Sequence, residues 1–354
     1  MKLLEVNDIV VEASSRLGPI RILDGVSIDI SPGEIVGLVG ESGSGKSTTA
    51  AAIMKLFTSP SVSMKEGEIW LEGERIDNLP TDEMAKVRGA RIAQIFQDPS
   101  TNLDPMMSVG DQVAEGLRVH KGKGDHRARV VELLTQMGLP DPEHMAHRFP
   151  HELSGGQRQR VLIAAALAAD PKLLIADEPS TALDVTVQAQ ILALLRELRE
   201  ELGLSILFIT HDLGVVAEMC DRVYVMYAGK VVEGREIHQL YDSPAHPYTV
   251  GLLNSTFSVD EDVEALFSVP GTVPDMRAMP SGCRFRTRCV LADEQCAAAE
   301  PPLEEVPGGL VACWNRDLVD PKTLWRAGAV PTSNDGPTVG IMSTDDGVPT
   351  GGAA

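Results

Sequence analysis

The stretch Gly40-Glu41-Ser42-Gly43-Ser44-Gly45-Lys46-Ser47 has glycines at its first, fourth and sixth positions and closes on a lysine and a hydroxyl. It fits G-x-x-x-x-G-K-S and lies between an apolar run, Glu34 to Val39, and a helical run, Thr48 to Phe57. That strand-to-helix context marks a phosphate loop rather than an ordinary glycine-rich turn. Gly40, Gly43 and Gly45 let the backbone N–H groups around Ser42 and Thr48 wrap an anion, the helix N-terminus adds partial positive charge, and Lys46 reaches the outer phosphates. Ser47 is placed to ligate Mg²⁺. A second element fits the first: Leu173-Leu174-Ile175-Ala176-Asp177-Glu178 is an apolar strand ending in two carboxylates. Nucleotide hydrolysis needs a metal across the β and γ oxygens and a base beside the γ-phosphate. Asp177 suits the metal shell and Glu178 the attacking water. Helix capping ahead of Pro179 would explain either acid alone, but not the pair together with the loop.

A Ser-Gly-Gly turn opens another helix at Leu153-Ser154-Gly155-Gly156-Gln157-Arg158-Gln159-Arg160, a second anion-binding helix N-terminus. Leu-Ser-Gly-Gly-Gln resembles the signature of ATP-binding cassette (ABC) ATPases. Gln97, within Gln94-Ile95-Phe96-Gln97-Asp98-Pro99, resembles their Q-loop. Thr181-Ala182-Leu183-Asp184 resembles the D-loop, and His211, after Ile206-Leu207-Phe208-Ile209-Thr210, the switch histidine. The resemblance implies that Lys46, Ser47 and Asp177 hold MgATP, that Gln97 senses metal and water, that Glu178 is the base, and that His211 meets the γ-phosphate. It further implies that Ser154 and Gly156, with Gly155, Gln157 and Asp184 beside them, act on ATP held by a partner's loop, two cassettes closing head to tail. One feature departs from the pattern. Such cassettes stack adenine on an N-terminal aromatic, yet no Phe, Tyr, Trp or His precedes Phe57, and Ala13 stands about where it belongs. Arg16 or Arg21 offers a guanidinium plane instead.

The elements that must position these residues alternate between apolar strands and helices over the first 240 residues, the sequence form of an α/β domain with a largely parallel sheet. Glu34 to Val39, Lys172 to Ala176 and Ser205 to Thr210 read as its buried strands, and a hairpin is expected across Tyr227-Ala228-Gly229-Lys230. Residues from about 100 to 160 lack strand signals and read as an inserted helical subdomain. With the resemblance, the fold class is a P-loop NTPase of ABC type, a RecA-like core plus helical subdomain, with a small cysteine-containing C-terminal extension over 241–320. The segment 321–354, rich in Gly, Pro, Ser and Thr from Pro331 onward, is expected to be a disordered tail.

Composition narrows the role. Lys and Arg number 31 against 51 Asp and Glu, a net charge of −20, which lacks the basic footprint of a nucleic-acid coat. No run approaches the roughly 18 apolar residues of a membrane span, and the acidic, non-apolar N-terminus is not a secretory signal. Cys220 stands alone, whereas Cys283, Cys289, Cys296 and Cys313 crowd one segment with gaps of five, six and sixteen residues. In a reducing compartment that reads as metal binding before disulfides, although the gaps are unlike zinc-ribbon or bacterial ferredoxin pairs, and four thiols packed as small hydrophobes remain the alternative.

Ser243-Pro244-Ala245-His246-Pro247-Tyr248-Thr249, then Met279-Pro280-Ser281-Gly282-Cys283-Arg284-Phe285-Arg286-Thr287-Arg288-Cys289 and Ala312-Cys313-Trp314, resemble the C-terminal extension of dipeptide and oligopeptide (Opp/Dpp-type) importer ATPases. This resemblance implies a 4Fe-4S cluster on the four cysteines. It also implies an ATPase subunit at the cytoplasmic face of the membrane, working with two transmembrane permease subunits, a second identical or homologous cassette and an extracytoplasmic substrate-binding protein, with ATP and Mg²⁺ as cofactors and no nucleic acid. Arg284, Arg286 and Arg288 are expected to pair with local carboxylates or the cluster's charge. Alternatives are a soluble ABC ATPase acting on DNA or ribosomes, a redox-responsive regulator, or an importer of nickel, glutathione or oligosaccharide.

Overall fold

The computed structural model describes residues 1–96, 99–179, 183–255 and 267–325. Strand β1 (Leu4–Ser15) pairs antiparallel with β2 (Gly18–Ile30) on one side. Past β2 the chain runs through β3 (Ile35–Val39) and helix α1 (Lys46–Ile53) to β4 (Val62–Leu71) and β5 (Glu74–Arg75). These complete an antiparallel sheet in the order β2-β1-β4-β5. Helix α2 (Thr81–Val87) then leads to β6 (Ile92–Ile95).

The helical insertion follows: α3 (Pro99–Asn102), α4 (Val109–His120), α5 (Arg127–Gln136), α6 (Pro142–Met145) and α7 (Gly155–Leu167). Buried residues recur three or four apart, as in Val109, Val113 and Leu117 of α4 and Val130, Leu133 and Leu134 of α5. Each helix therefore turns one stripe inward, and α4 and α5 lay theirs against α7.

The main sheet has the order β11 (Glu304–Val306), β12 (Gly309–Val311), β10 (Lys230–Glu236), β9 (Arg222–Tyr227), β3, β8 (Ser205–Thr210), β7 (Leu173–Asp177), β6. Strands β7 (Leu173–Asp177) and β8 (Ser205–Thr210), separated by α8 (Val185–Leu202), are buried at every residue, as is β3. Parallel strands covered on both faces demand such runs. Beyond α9 (Leu213–Met219) comes β9 (Arg222–Tyr227), parallel to β3. It reverses into β10 (Lys230–Glu236) across Ala228 (φ 45°) and Gly229 (φ 83°). This is the expected hairpin, with both turn residues left-handed as a mirror-image turn requires.

Around residue 240, where the composition shift places a boundary, the chain runs through α10 (Ile237–Asp242). β12 (Gly309–Val311), with β11 (Glu304–Val306) on its far side, takes the free edge of β10. The buried Glu233 carboxylate of β10 accepts the backbone N–H groups of Ala245 (2.7 Å) and His246 (3.0 Å), which seats α11 (Pro247–Asn254). Three-residue strands and the short α12 (Glu294–Ala298) bury too little surface to fold alone, so the extension borrows the cassette's sheet and core. The packed chain also reaches past residue 320. Leu324 and Trp325 are buried, and the Trp325 indole N–H donates to the Pro247 carbonyl at 2.9 Å. Residues 326–354 of the expected tail lie outside the described residues.

His246 is 2% exposed, and its Nδ1 accepts the Tyr248 N–H at 3.0 Å. Burial pulls its imidazole down from 6.5 to about 3. Between those values the unfolded chain takes up a proton that the folded chain refuses, so stability falls as the pH drops through that window. His246→Asn, which keeps an acceptor for Tyr248, should flatten the dependence of the urea midpoint on pH across that interval. Parallel curves for the two proteins would contradict the assignment.

Candidate active site

The phosphate loop leaves β3 at Gly40, whose φ of 150° and closeness to the Met226 carbonyl exclude a side chain, since a Cβ would lie 2.2 Å from that oxygen. Helix α1 begins at Lys46 with no side-chain cap, so the N–H groups of its first turn are free for a ligand. The Lys46 Nζ donates to the carbonyls of Gly40 (2.8 Å) and Glu41 (3.1 Å). Burial pulls its ammonium below the ordinary lysine value, against the opposing pull of Glu178, Asp177 and Glu41. An incoming phosphate can take over those contacts.

The Ser47 hydroxyl donates to Asp177 Oδ1 at 3.3 Å across the gap between α1 and β7. Burial raises the Asp177 carboxyl above its usual value; the Ser47 bond and Lys46 oppose this, and the neighbouring Glu178 reinforces it. A hydroxyl and a desolvated carboxylate side by side are hard oxygen ligands of the kind Mg²⁺ takes along with waters and phosphates. These two residues therefore fit that ion, which would supply positive charge beside a bound phosphate. Glu178 follows with φ 48°, a left-handed conformation that costs a non-glycine residue about 1–3 kcal/mol. Its N–H is tied to the Ile209 carbonyl at 2.9 Å, and its Oε1 lies 3.1 Å from His211 Nδ1. His211 is 63% exposed along its side chain.

Ser42, Gly43, Gly45, Lys46, Ser47, Thr48, Glu178 and His211 surround one cavity of about 280 Å³, closed by Ile22 and Met276. Sequence reasoning missed these last two, and an isolated Ile or Met carries no signal that would have found them. Ala13 pairs within the first sheet against Ile20 and Val62, and Arg21 is engaged with Glu12 and Asp24. Neither lines the cavity. Gln97, Thr181 and Ala182 lie outside the described residues.

The signature turn stands apart from this cavity. Ser154 caps α7 by accepting the Gln157 N–H (3.3 Å), while Gln157 Oε1 accepts the Ser154 N–H (3.0 Å). Gly156 passes so close to Val187 of α8 that a Cβ would sit 2.7 Å from its Cγ1. Asp184 caps α8 by accepting the Val187 N–H at 3.0 Å. Ser154 and Gly155 face solvent, presenting a helix N-terminus to something outside this chain's own cavity.

The four C-terminal cysteines are free thiols gathered in one neighbourhood. The Cys283 N–H donates to the Cys296 carbonyl (2.8 Å), and the Leu291 N–H points at Cys289 Sγ (3.4 Å). Burial first, then the nearby cysteines, pushes Cys283 to about 11 and Cys313 to about 12, with backbone N–H groups opposing. Among the described residues, however, no three His, Cys, Asp or Glu side chains form a group that could hold a metal ion. The thiols as placed make no ready cage for the expected cluster.

The ABC transporter family matches residues 23–181. The oligopeptide transport ATP-binding protein OppD of Bacillus subtilis is 49% identical over 308 residues, 86% of each chain. The dipeptide transport ATP-binding protein DppD of Escherichia coli is 45% identical over 311 residues, 87% of this chain and 95% of that one. The chain belongs to the ABC transporter ATP-binding family. Residues 232–296 of this cassette also match the C-terminal region of oligopeptide/dipeptide transporters. The ATP-binding cassette MJ0796, solved as a dimer bound to ADP and Pi, resembles it with a TM-score of 0.59 at 32% identity, covering 66% of this chain and 98% of that one. CbiO1 of Clostridium perfringens does so at 0.58 and 31%, covering 68% and 90%.

Two substitutions separate binding from chemistry in the cassette. Glu178→Gln should keep MgATP affinity while turnover falls by about 10² or more, the scale of a positioned general base. Lys46→Ala should lose binding and turnover together. Full turnover in the first, or tight MgATP binding in the second, removes the corresponding role.

Proposed function

We propose that this chain is the ATPase subunit of a peptide importer, binding and hydrolysing MgATP to drive uptake through a membrane permease. The observation that carries this reading is the joining, in one sheet, of an intact phosphate-loop site and the C-terminal region that the chain shares with oligopeptide and dipeptide transport ATP-binding proteins. Lys46 and the loop amides around Gly40, Ser42, Gly43, Gly45 and Thr48 hold the phosphates, while Ser47 and Asp177 would hold Mg²⁺, which would supply charge neutralisation for the phosphates. Glu178 takes the proton of the attacking water, and His211, oriented by its contact with Glu178, meets the γ-phosphate. Gln97, by its resemblance to the Q-loop, is assigned the sensing of metal and water. Ser154, Gly155, Gly156, Gln157 and Asp184 belong to the half-site that a second cassette, identical or homologous, brings to each nucleotide; the solvent-facing signature turn supports this.

Among the described residues no helix is long and apolar enough to cross a membrane, so transport requires a permease pair made by other chains. The cassette docks on it from the cytoplasmic side, and an extracytoplasmic binding protein delivers the peptide. The chain should sediment with membranes, co-purify with a polytopic permease and hydrolyse ATP faster when the complex is given peptide and binding protein. A chain found wholly in the soluble fraction without a permease would refute the importer reading.

The finer reading of Cys283, Cys289, Cys296 and Cys313 as ligands of a 4Fe-4S cluster is supported by the resemblance of their segment alone. Such a cluster would supply one-electron chemistry or a covalent staple. Anaerobic purification should give iron and acid-labile sulfide in equal amounts, matched to the cysteines. Zinc or no metal would reduce the segment to a packing module.

A further inference from the structure

Arg288 belongs to the cysteine segment, next to Cys289, yet its guanidinium is spent on the phosphate loop. It is 3% exposed. Its two Nη atoms grip the Glu41 carboxylate in a fork, at 2.7 Å to Oε2 and 3.0 Å to Oε1. Nη1 also reaches the Tyr227 hydroxyl at 3.4 Å, Nη2 the Val269 carbonyl at 3.1 Å, and Nε the Pro270 carbonyl at 2.8 Å. The guanidinium lies over the rings of Tyr227 and Phe285, 5.7 and 5.8 Å from their centroids.

Glu41 is the second residue of the loop, and three side chains hold it. Its carboxylate is in the Arg288 fork, its N–H donates to the Tyr248 hydroxyl at 2.9 Å, and its carbonyl accepts from Lys46 Nζ. Two of these three come from beyond β10. A carboxylate in a loop built to wrap a polyanion opposes binding unless its charge is met, and a bidentate arginine meets it in fixed geometry. The same guanidinium anchors Val269 and Pro270, ahead of the Met276 that closes the cavity.

We infer that Arg288 is a positioning residue for MgATP, which cancels the Glu41 charge and fixes the first turn of the phosphate loop, making the C-terminal segment part of the nucleotide site. This rests on the nucleotide-binding reading above. A cross-link that merely glued the extension down would affect stability and leave the affinity of folded molecules alone.

The test uses the full-length chain, titrated calorimetrically with Mg²⁺ and a non-hydrolysable ATP analogue, with thermal unfolding of each variant alongside. Arg288→Gln should weaken binding about tenfold or more. Adding Glu41→Gln to that variant should restore most of the loss, because the unmet charge is gone. Glu41→Asp, which keeps the charge but draws it out of the fork, should bind more weakly than Glu41→Gln; this comparison serves if Arg288→Gln does not fold. Unchanged affinity in Arg288→Gln, no rescue in the double variant, or Glu41→Gln as the weaker of the Glu41 pair overturns the inference. A wild-type chain that does not bind the analogue overturns the proposed function instead.

Discussion

The parallel register of β3, β8 and β7 is the constraint from which the site follows. Val39 stands opposite Thr210, and Asp177 opposite Ile209. The phosphate loop, His211 and the Asp177–Glu178 pair therefore leave three adjacent strands at nearly one level, at their carboxyl ends, where open parallel sheets place their ligands. Strand side chains alternate, so a one-residue slip of β7 would turn Asp177 from the Ser47 hydroxyl to the opposite face. The unbroken burial of these strands holds the register. The strained backbone of Glu178 is sustained by its bond to Ile209 on the neighbouring strand.

The C-terminal extension works through the same sheet from its other edge. β9 pairs with β3 on the side away from β8, β10 and β12 extend it, and Glu233 in β10 organises the turn into α11. Tyr248 from α11 and Arg288 from the cysteine segment then reach back to Glu41. The rings of Tyr227, Tyr248 and Phe285 meet edge-on or tilted, with centroids 4.8 to 5.4 Å apart, filling the space between that edge and the loop. This buried ring cluster, a contact worth more than its area alone, is the surface over which the Arg288 guanidinium lies on its way to Glu41.

What the sequence discloses is what depends on neighbours in the chain. The phosphate loop, the paired acids after β7, the signature turn and the hairpin at Ala228-Gly229 each lie within a few residues and announce themselves through glycine, charge and apolar runs. Helix α1 was legible in kind but not in extent, because its last turn loosens after Ile53. The hidden features are non-local. The extension's short polar strands look like a separate module because nothing in their composition says that β10 has a free edge for them. Trp325 sits just ahead of a Gly- and Ser-rich stretch, and its partner is Pro247. Met276 and Ile22 are ordinary apolar residues until folding sets them beside the loop. Of the three clustered arginines, Arg284 pairs with Asp24 and Glu300 and Arg288 with Glu41, whereas Arg286 donates to the Ser281 carbonyl. Pairing with carboxylates was foreseeable; which carboxylates was not.

Charge at the cavity explains why this arrangement needs outside help. Glu41, Asp177 and Glu178 are three carboxylates beside one ammonium, Lys46, in a chain that is already acidic overall. Backbone N–H groups and the α1 terminus contribute only partial charges, so the loop by itself is a poor host for a bare triphosphate. Arg288 cancels Glu41, and Mg²⁺ between Ser47 and Asp177 would cancel the most deeply buried acid. Glu178 is then the remaining acid of the three, held at the cavity wall beside His211 at 3.1 Å. The charge balance of this cavity thus favours a nucleotide that arrives as its magnesium complex over a bare triphosphate.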